Sequence, residues 1–435
     1  MRIFVIGQCT LHWGRMEFGN IGNYYVIEPF FKELHRVFPN AEIVTTFQMS
    51  EQFCKKVDIT CVPMDEYYGW KDDDLSNAYK DFAIANVYHT TGQIIEHTPF
   101  VDDVIKSNLV IDYSGDIWGQ NADLVGENRF LVGLLKDRAA QLLGVPTVML
   151  AGSPGPFNRN ESLPFAKEVF SNFKFVTNRE PISKDILADF GFDTSRVYSL
   201  ACPAFIFEQD TQDSIKPLLK GTHLEKKAKP IVGFMLCGWN MLKGPYSRTD
   251  WQDVEFKVYV DLLTTLIKKY NVDVCLMSHS NGFELPPHFK PIPGRDYPIA
   301  EQLCRLMKGT DVGDSVSLLE GVYTPGQTKA IIANFDMVIS GRVHGAIAAL
   351  SQNIPTVIID YGHEPKAHKL RGFSIVAGCE DYFADPSKGN ELIEKACKCW
   401  EQKDTIKKTL EARKKDIDAQ VRKNFDLLKN IVQND

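Results

Sequence analysis

The chain has no CxxC pair and no cysteine alternating with histidine, so neither a zinc ribbon nor a thioredoxin-like redox centre has a motif to stand on. GxGxxG and GxxxxGK[ST] are missing too, which disfavours nicotinamide and P-loop nucleotide chemistry. HExxH and GxSxG are absent, and with them any basis for a zinc peptidase or an α/β-hydrolase. No apolar run approaches the roughly 18 residues that a membrane span needs. The amino end, MRIFVIGQC, is too short in its apolar run for a signal peptide and lacks a small-residue cleavage site. Positive charge is not in excess: a net charge of -7 argues against nucleic acid as a bulk partner and leaves room only for a local basic site. There is no short-period repeat and no low-complexity tract. The 10 cysteines are scattered, mostly in apolar segments, and read as reduced core thiols in a cytoplasmic protein. Any membrane contact is then peripheral, at the inner face.

What is present is enough apolar material for more than one core: 435 residues, 44% of them hydrophobic, suggest two or three domains. RIFVIG at 2–7 is a glycine-closed apolar run, followed by helical spacing over 21–37 and a second strand pattern, AEIVTTF, at 41–47. SNLVIDYSG, a helix over 127–143, a strand at 146–151, and FKFVTN at 173–178 with its helix continue the alternation. Residues 208–229 are polar and charged and read as a linker. A second alternation begins with PIVGFML at 230–236 and runs through VDVCLMSHS, VSLLEG and FDMVIS to IPTVIID at 354–360. These patterns predict an α/β domain over 1–207, a linker, and a second α/β domain over 230–385, with ligands outside the carboxyl ends of the strands. The tail, 386–435, carries Ile406, Leu410, Ile417, Val421, Phe425, Leu428 and Val432 at the helical period. Its charges alternate in sign, which favours a helix packed on a domain over one lying on a membrane.

The residues able to carry chemistry gather at expected strand ends. Ser340, Gly341, Arg342 and His344 follow FDMVIS and open a helix, so free backbone N–H groups, the helix dipole and a guanidinium fork converge on an anion site. The plainer alternative makes Arg342 a cap on a neighbouring carboxyl terminus and His344 a satisfied core imidazole. Lys366, with His363, His368 and Lys369, follows the next strand and is expected at the same sheet edge. His279 ends VDVCLMS. Arg179 lies just past FKFVTN, where it either faces a cleft or pairs with Glu180. Three glycine loops also stand at strand ends in the first domain: FGNIGNYY, with Asn20, Gly22 and Asn23; SGDIWG, with Ser114, Gly115 and Asp116; and GSPGPF. Asp72, Asp73 and Asp74 read as a solvated loop, because three adjacent residues cannot readily face one ion. No metal site is expected.

The run TKAIIANFDMVISGRVHGAIAALSQNIPTVIIDYGHEPKAHKLRGF resembles the signature block of the polysaccharide pyruvyl transferase family. That block has an Arg-x-His step at a strand-to-helix junction, a helix of small residues, an apolar strand, and a Tyr-x-x-x-Lys-like segment. GNIG, SGD, GSPGPF, FVTNREPIS, CPAF and SHS fall in the family's order, so the likeness spans about 20–375. The resemblance implies two Rossmann-like α/β domains in a GT-B-like arrangement with the active site in the inter-domain cleft. It also implies transfer of a pyruvyl group from phosphoenolpyruvate, a donor substrate and not a cofactor, to a sugar as a ketal. Carried over by position, Arg342 and His344 serve catalysis. Arg179, Ser340, Gly341, His279 and Lys366 (or Lys369) hold the donor. The loops with Asn20, Gly22, Asn23, Ser114, Gly115 and Asp116 lie on the acceptor side. Asn23, Asp116 and Cys202 depart from the family's usual Asp, Gly and Asp.

Phosphoenolpyruvate suits such a site, because its phosphate and carboxylate call for guanidinium forks, a lysine and helix N-termini. A histidine can act as acid or base in ketal formation. The acceptor is a sugar of a surface polysaccharide or its precursor, free or lipid-linked. Two rivals share the architecture: a GT-B glycosyltransferase with a nucleotide-sugar donor, and a non-catalytic sugar-binding relative.

Overall fold

A run such as Arg2–Gly7, buried at every position after Arg2, reads as a strand with no face left to water. Runs of this kind are covered on both sides, as in doubly wound sheets. In the computed structural model, which describes residues 1–8, 10, 12–158, 161–241, 248–361 and 368–432, the chain divides into two compact units of this type. The first comprises Met1–Arg15, Glu28–Pro203 and Ala419–Asp435; the second comprises Met16–Ile27 and Ala204–Asp418.

Among the described residues the first unit holds seven strands: β1 (Arg2–Gly7), β2 (Glu42–Thr45), β3 (Thr60–Cys61), β4 (Leu109–Tyr113), β5 (Thr147–Gly152), β6 (Val176–Asn178) and β7 (Val197–Ser199). Their order is β3-β2-β1-β4-β5-β6-β7, and every pairing is parallel. The second unit adds β8 (Ile231–Met235), β9 (Asp273–Leu276), β10 (Asn281–Glu284), β11 (Lys290–Pro293), β12 (Val316–Leu318), β13 (Met337–Ser340), β14 (Thr356–Ile359) and β15 (Phe383–Ala384). Six of these form a parallel sheet in the order β12-β9-β8-β13-β14-β15, while β10 and β11 make a separate antiparallel hairpin. In each sheet the winding reverses beside the unit's first strand, between β1 and β4 and between β8 and β13. Such reversals leave a crevice at the carboxyl ends of the strands.

Several expected boundaries change. The stretch 208–229, expected to be a linker, carries helices Gln212–Ile215 and His223–Lys226 with Ile215, Leu219 and Leu224 buried, and it groups with the second unit. Helix Ile21–Val37 keeps its expected bounds, but its residues up to Ile27 count with the second unit. The acidic run does not end in a loop. Asp74 is buried and opens helix Asp74–Thr91, its carboxylate accepting from Gly69 N (2.8 Å) and Lys71 N (2.9 Å). In the tail, helix Lys403–Asp426 buries Ile406, Leu410, Ile417, Val421 and Phe425; its residues up to Asp418 count with the second unit and the rest with the first. No described helix is long and apolar enough to cross a membrane.

The crevice strand β8 depends on one glycine. A Cβ on Gly233 would lie 2.2 Å from Cδ2 of the buried Phe335 ring, so β8 reaches its place only because the position is bare. Gly233→Ala is expected to lower unfolding stability by about 1–3 kcal/mol through overpacking, measured by urea denaturation.

Candidate active site

At the β8/β13 reversal the backbone turns out of β13 under tight control. The Ser340 hydroxyl accepts from Arg342 N (3.1 Å) and donates to Arg342 O (2.8 Å), and Gly341 N donates to Met235 O (2.8 Å) on the neighbouring strand. Helix Val343–Leu350 then starts, buried along its whole length, with Gly345, Ala346, Ala348 and Ala349 keeping it thin enough to lie close to the sheet. Gly341 has no alternative: a Cβ there would sit 1.9 Å from Asn240 Oδ1. Asn240 is itself fixed in the loop after β8, accepting from Cys237 N (2.9 Å) through Oδ1 and from the Tyr259 hydroxyl (2.6 Å) through its carbonyl.

Arg342 points its fork at Asp296. Its Nε donates to Asp296 Oδ2 at 2.7 Å and its Nη2 to Asp296 Oδ1, while Asp296 is wholly buried and its own N–H donates to Ser280 Oγ (3.2 Å). The arginine is therefore held by an internal carboxylate, and Nη1 is the guanidinium nitrogen not bonded to it. Ser340, proposed from sequence as a substrate contact, spends its hydroxyl on the turn.

His344 and His279 stand on either side of this helix start. A Cβ on Gly22 would fall 2.5 Å from His344 Nδ1, so the first turn of helix Ile21–Val37 is pressed against that imidazole. A Cβ on Gly345 would be 3.3 Å from His279 Cδ2. His279 is buried, presents its ring to the edge of Tyr25 (centroids 5.4 Å apart), and has no hydrogen-bond partner at Nε2 among the described residues. Burial, reinforced by the positive Arg342, pushes its pKa down to about 3, so the ring is neutral across the physiological range. Asn20, read from sequence as part of a ligand loop, caps the helix: its Oδ1 accepts from Gly22 N (3.1 Å) and Asn23 N (3.3 Å). The loop with Asn20, Gly22 and Asn23, expected in the first domain, belongs to the second unit and packs on His344. Lys366 and His363 lie outside the described residues; Lys369 is buried in helix His368–Ala377.

The first unit has its own polar cluster at the β1/β4 reversal. Ser114 N and Oγ both donate to Asp112 at 2.8 Å, Gln8 Nε2 donates to Ser114 O (2.8 Å), and Gly115 turns the chain with φ +64. Arg179, buried, donates from Nε to Ser153 Oγ (2.9 Å), and its Nη2 lies 3.8 Å from Asp116 Oδ1. Asp116, a departure from the family pattern, thus supplies a counter-charge. Glu180, the alternative partner weighed for Arg179, instead accepts from Ser183 N (3.2 Å) and from the Ser183 hydroxyl. Beneath the loop, Asp112 and Asp137 are buried and hydrogen-bonded to each other. Burial lifts both above the usual carboxylate range, Asp112 to about 6. Among the described residues no three His, Cys, Asp or Glu side chains gather as metal ligands would.

Asp296 and Asn240 escape sequence reasoning, while Ser153 and Tyr25 lie within the loops GSPGPF and FGNIGNYY without being singled out. Asp296 carries the only available signal, an acid at a helix start in GRDYP, and that signal reads equally as a cap.

A family model described as polysaccharide pyruvyl transferase matches residues 20–363. No curated protein sequence matches the chain. Among solved structures, Anabaena Alr3699/HepE in complex with UDP is similar over 100% of both chains at 13% identity and a TM-score of 0.57. A glycosyltransferase from Rickettsia africae covers 100% of this chain and 99% of its own, at 13% identity and 0.57. The UDP-GlcNAc 2-epimerase of Neisseria meningitidis, bound to UDP-GlcNAc, matches over 100% of both chains at 11% identity and 0.56. At such identities the likeness concerns the fold, which is GT-B-like.

Removing one partner of a buried ion pair leaves the other charged and unpaired. Asp296→Ala is expected to cost about 3–5 kcal/mol of stability, with Asp296→Asn costing less, both by chemical denaturation. For His279 the folded pKa lies below the unfolded value of about 6.5, so the folded state binds fewer protons. The stability it contributes is present above about pH 6.5 and is lost as pH falls toward about 3. By pH 5 this loss should reach about 2 kcal/mol, and His279→Gln should flatten the stability profile between pH 7 and pH 5 in denaturation curves.

Proposed function

Because the chain belongs to the polysaccharide pyruvyl transferase family, we propose that it moves the pyruvyl group of phosphoenolpyruvate onto two hydroxyls of a sugar as a cyclic ketal, releasing phosphate. The observation that carries this reading is the juxtaposition, at one sheet reversal, of two imidazoles, one of them held neutral, and an arginine oriented by a buried carboxylate.

Phosphoenolpyruvate brings a phosphate and a carboxylate to one carbon. Arg342 Nη1 and the first N–H groups of helix Val343–Leu350 are donors for such an anion. His344 gives a proton to the methylene carbon as one sugar hydroxyl adds to the neighbouring carbon. The second hydroxyl then adds at that same carbon while its bond to the phosphate oxygen breaks. One hydroxyl proton returns to His344 and the other leaves with phosphate, so the imidazole ends as it began. His279, being neutral, meets the substrate as a hydrogen-bonding partner and not as a charge. The family pattern gives the departing phosphate a lysine, Lys366 or Lys369, and gives the donor a second arginine, Arg179. The acceptor belongs to a surface polysaccharide or its precursor, free or lipid-linked, met by a cytoplasmic protein at the inner membrane face.

A second reading, a nucleotide-sugar glycosyltransferase, draws on the fold shared with proteins solved with UDP. The two part on ligand. Phosphoenolpyruvate should raise the melting temperature and UDP should not; protection by UDP alone would replace the first reading with the second. In a coupled assay with a sugar panel, phosphate release should depend on acceptor and coincide with the matching mass gain on the sugar. His344→Ala should lower kcat by about 10²–10⁴-fold, the usual worth of a general acid–base. Phosphate release without acceptor, or an unimpaired His344→Ala, would defeat the proposed chemistry.

A further inference from the structure

The hairpin of β10 and β11 stands apart from the parallel sheet, and its two ends are residues of the site. His279 lies two residues before β10, and Asp296, the partner of Arg342, lies three residues after β11. The feet are pinned together: Ser280 Oγ accepts from Asp296 N (3.2 Å), and a Cβ on Gly294 would fall 2.2 Å from the Ser280 carbonyl oxygen. Above these feet the strands pair from Asn281↔Pro293 to Glu284↔Lys290.

Three phenylalanines meet on this hairpin. Phe18, from the turn before helix Ile21–Val37, lies with its ring centroid 5.7 Å from Phe283 and 4.6 Å from Phe289, and Phe283 and Phe289 are 6.0 Å apart. None belongs to the buried core, and Phe289 is 39% exposed. Glu284, His288, Lys290 and Arg295 around them are exposed as well. An aromatic cluster left at the surface inside a polar rim is a binding surface more often than a packing remnant.

Its distance from the chemistry is bounded by the chain. Phe283 is four residues from His279, and Phe18 is four residues from Gly22, which abuts His344. Four residues span at most about 14 Å of backbone, so both routes tether the ring-bearing positions to the neighbourhood of the imidazoles. A pyranose offers a face of C–H bonds that stacks on aromatic faces and a rim of hydroxyls that seeks charged and amide groups. On the basis of the proposed reaction, we infer that Phe18, Phe283 and Phe289 form an acceptor subsite that stacks a pyranose ring of the glycan receiving the pyruvyl group.

The test is saturation-transfer NMR on the full chain with four probes: the methyl glycosides of glucose, galactose, mannose and N-acetylglucosamine. At least one should receive saturation, strongest on the C–H protons of one ring face. Phe289→Ala and Phe283→Ala should weaken its binding about 3- to 10-fold, the scale of one lost aromatic contact. Phe289→Tyr should retain it, and thermal protection by phosphoenolpyruvate should be unchanged in all three variants. Equal binding in the alanine variants, or no saturation transfer to any probe, overturns the subsite. Ring-dependent sugar binding without any protection by phosphoenolpyruvate would leave the subsite standing and remove the donor assignment instead.

Discussion

A guanidinium withdrawn from water must find a carboxylate, and in this protein that demand is met by Asp296. The pair joins the turn after β13 to the start of helix Tyr297–Lys308, and through Ser280 it fixes the chain that leaves β9. The orientation of Arg342 follows from that contact, and the same Asp296, through its backbone N–H on Ser280, helps close the hairpin feet next to His279. Its cost is shared between two bonds to one carboxylate with no solvent between, the geometry in which a buried pair can offset its desolvation. Burial keeps His279 unprotonated, and the positive charge of Arg342 adds to that effect while Asp296 works against it.

Space, as much as charge, shapes the site. Gly22, Gly341 and Gly345 each stand where a methyl group would meet His344, Asn240 or the Ser340 hydroxyl. They let one helix start reach the His344 imidazole, one loop cross another, and one helix settle on the sheet end. In the first unit a comparable economy appears at Gly7, where a Cβ would strike Ser114. Both sheets thus place their polar clusters at the reversal of winding, where strand ends part and backbone groups are left to bond something other than a neighbouring strand.

Much of this is legible in the sequence. Short apolar runs identify most of the sheet strands, and the bounds of helix Ile21–Val37 follow from its periodicity. Arg342 and His344 are legible because a strand pattern hands directly to a small-residue helix. What escapes is set by distance along the chain. Asp296 lies 46 residues from Arg342, and nothing in its neighbours distinguishes an ion-pair partner from a cap. The membership of residues 16–27 in the second unit depends on what Gly22 and Tyr25 pack against, which local pattern cannot tell. The stretch 208–229 hides its helices in segments of four residues, too short for a helical period to repeat, and they are held by distant contacts such as Gln212 Nε2 to Ala330 O at 3.0 Å. The capping role of Asn20 is hidden because the side chain that suits a ligand loop also suits a helix N-cap.

The pinned feet of the hairpin have an evolutionary consequence. Because Ser280, Gly294 and Asp296 close the loop at its base, residues between 281 and 293 can lengthen, shorten or change in composition at little entropic cost and without moving Asp296 or His279. The fixed base and the exposed strands of the hairpin are thereby separated within a single connection. A lineage carrying this fold can change one short surface segment while the base beneath it keeps its geometry.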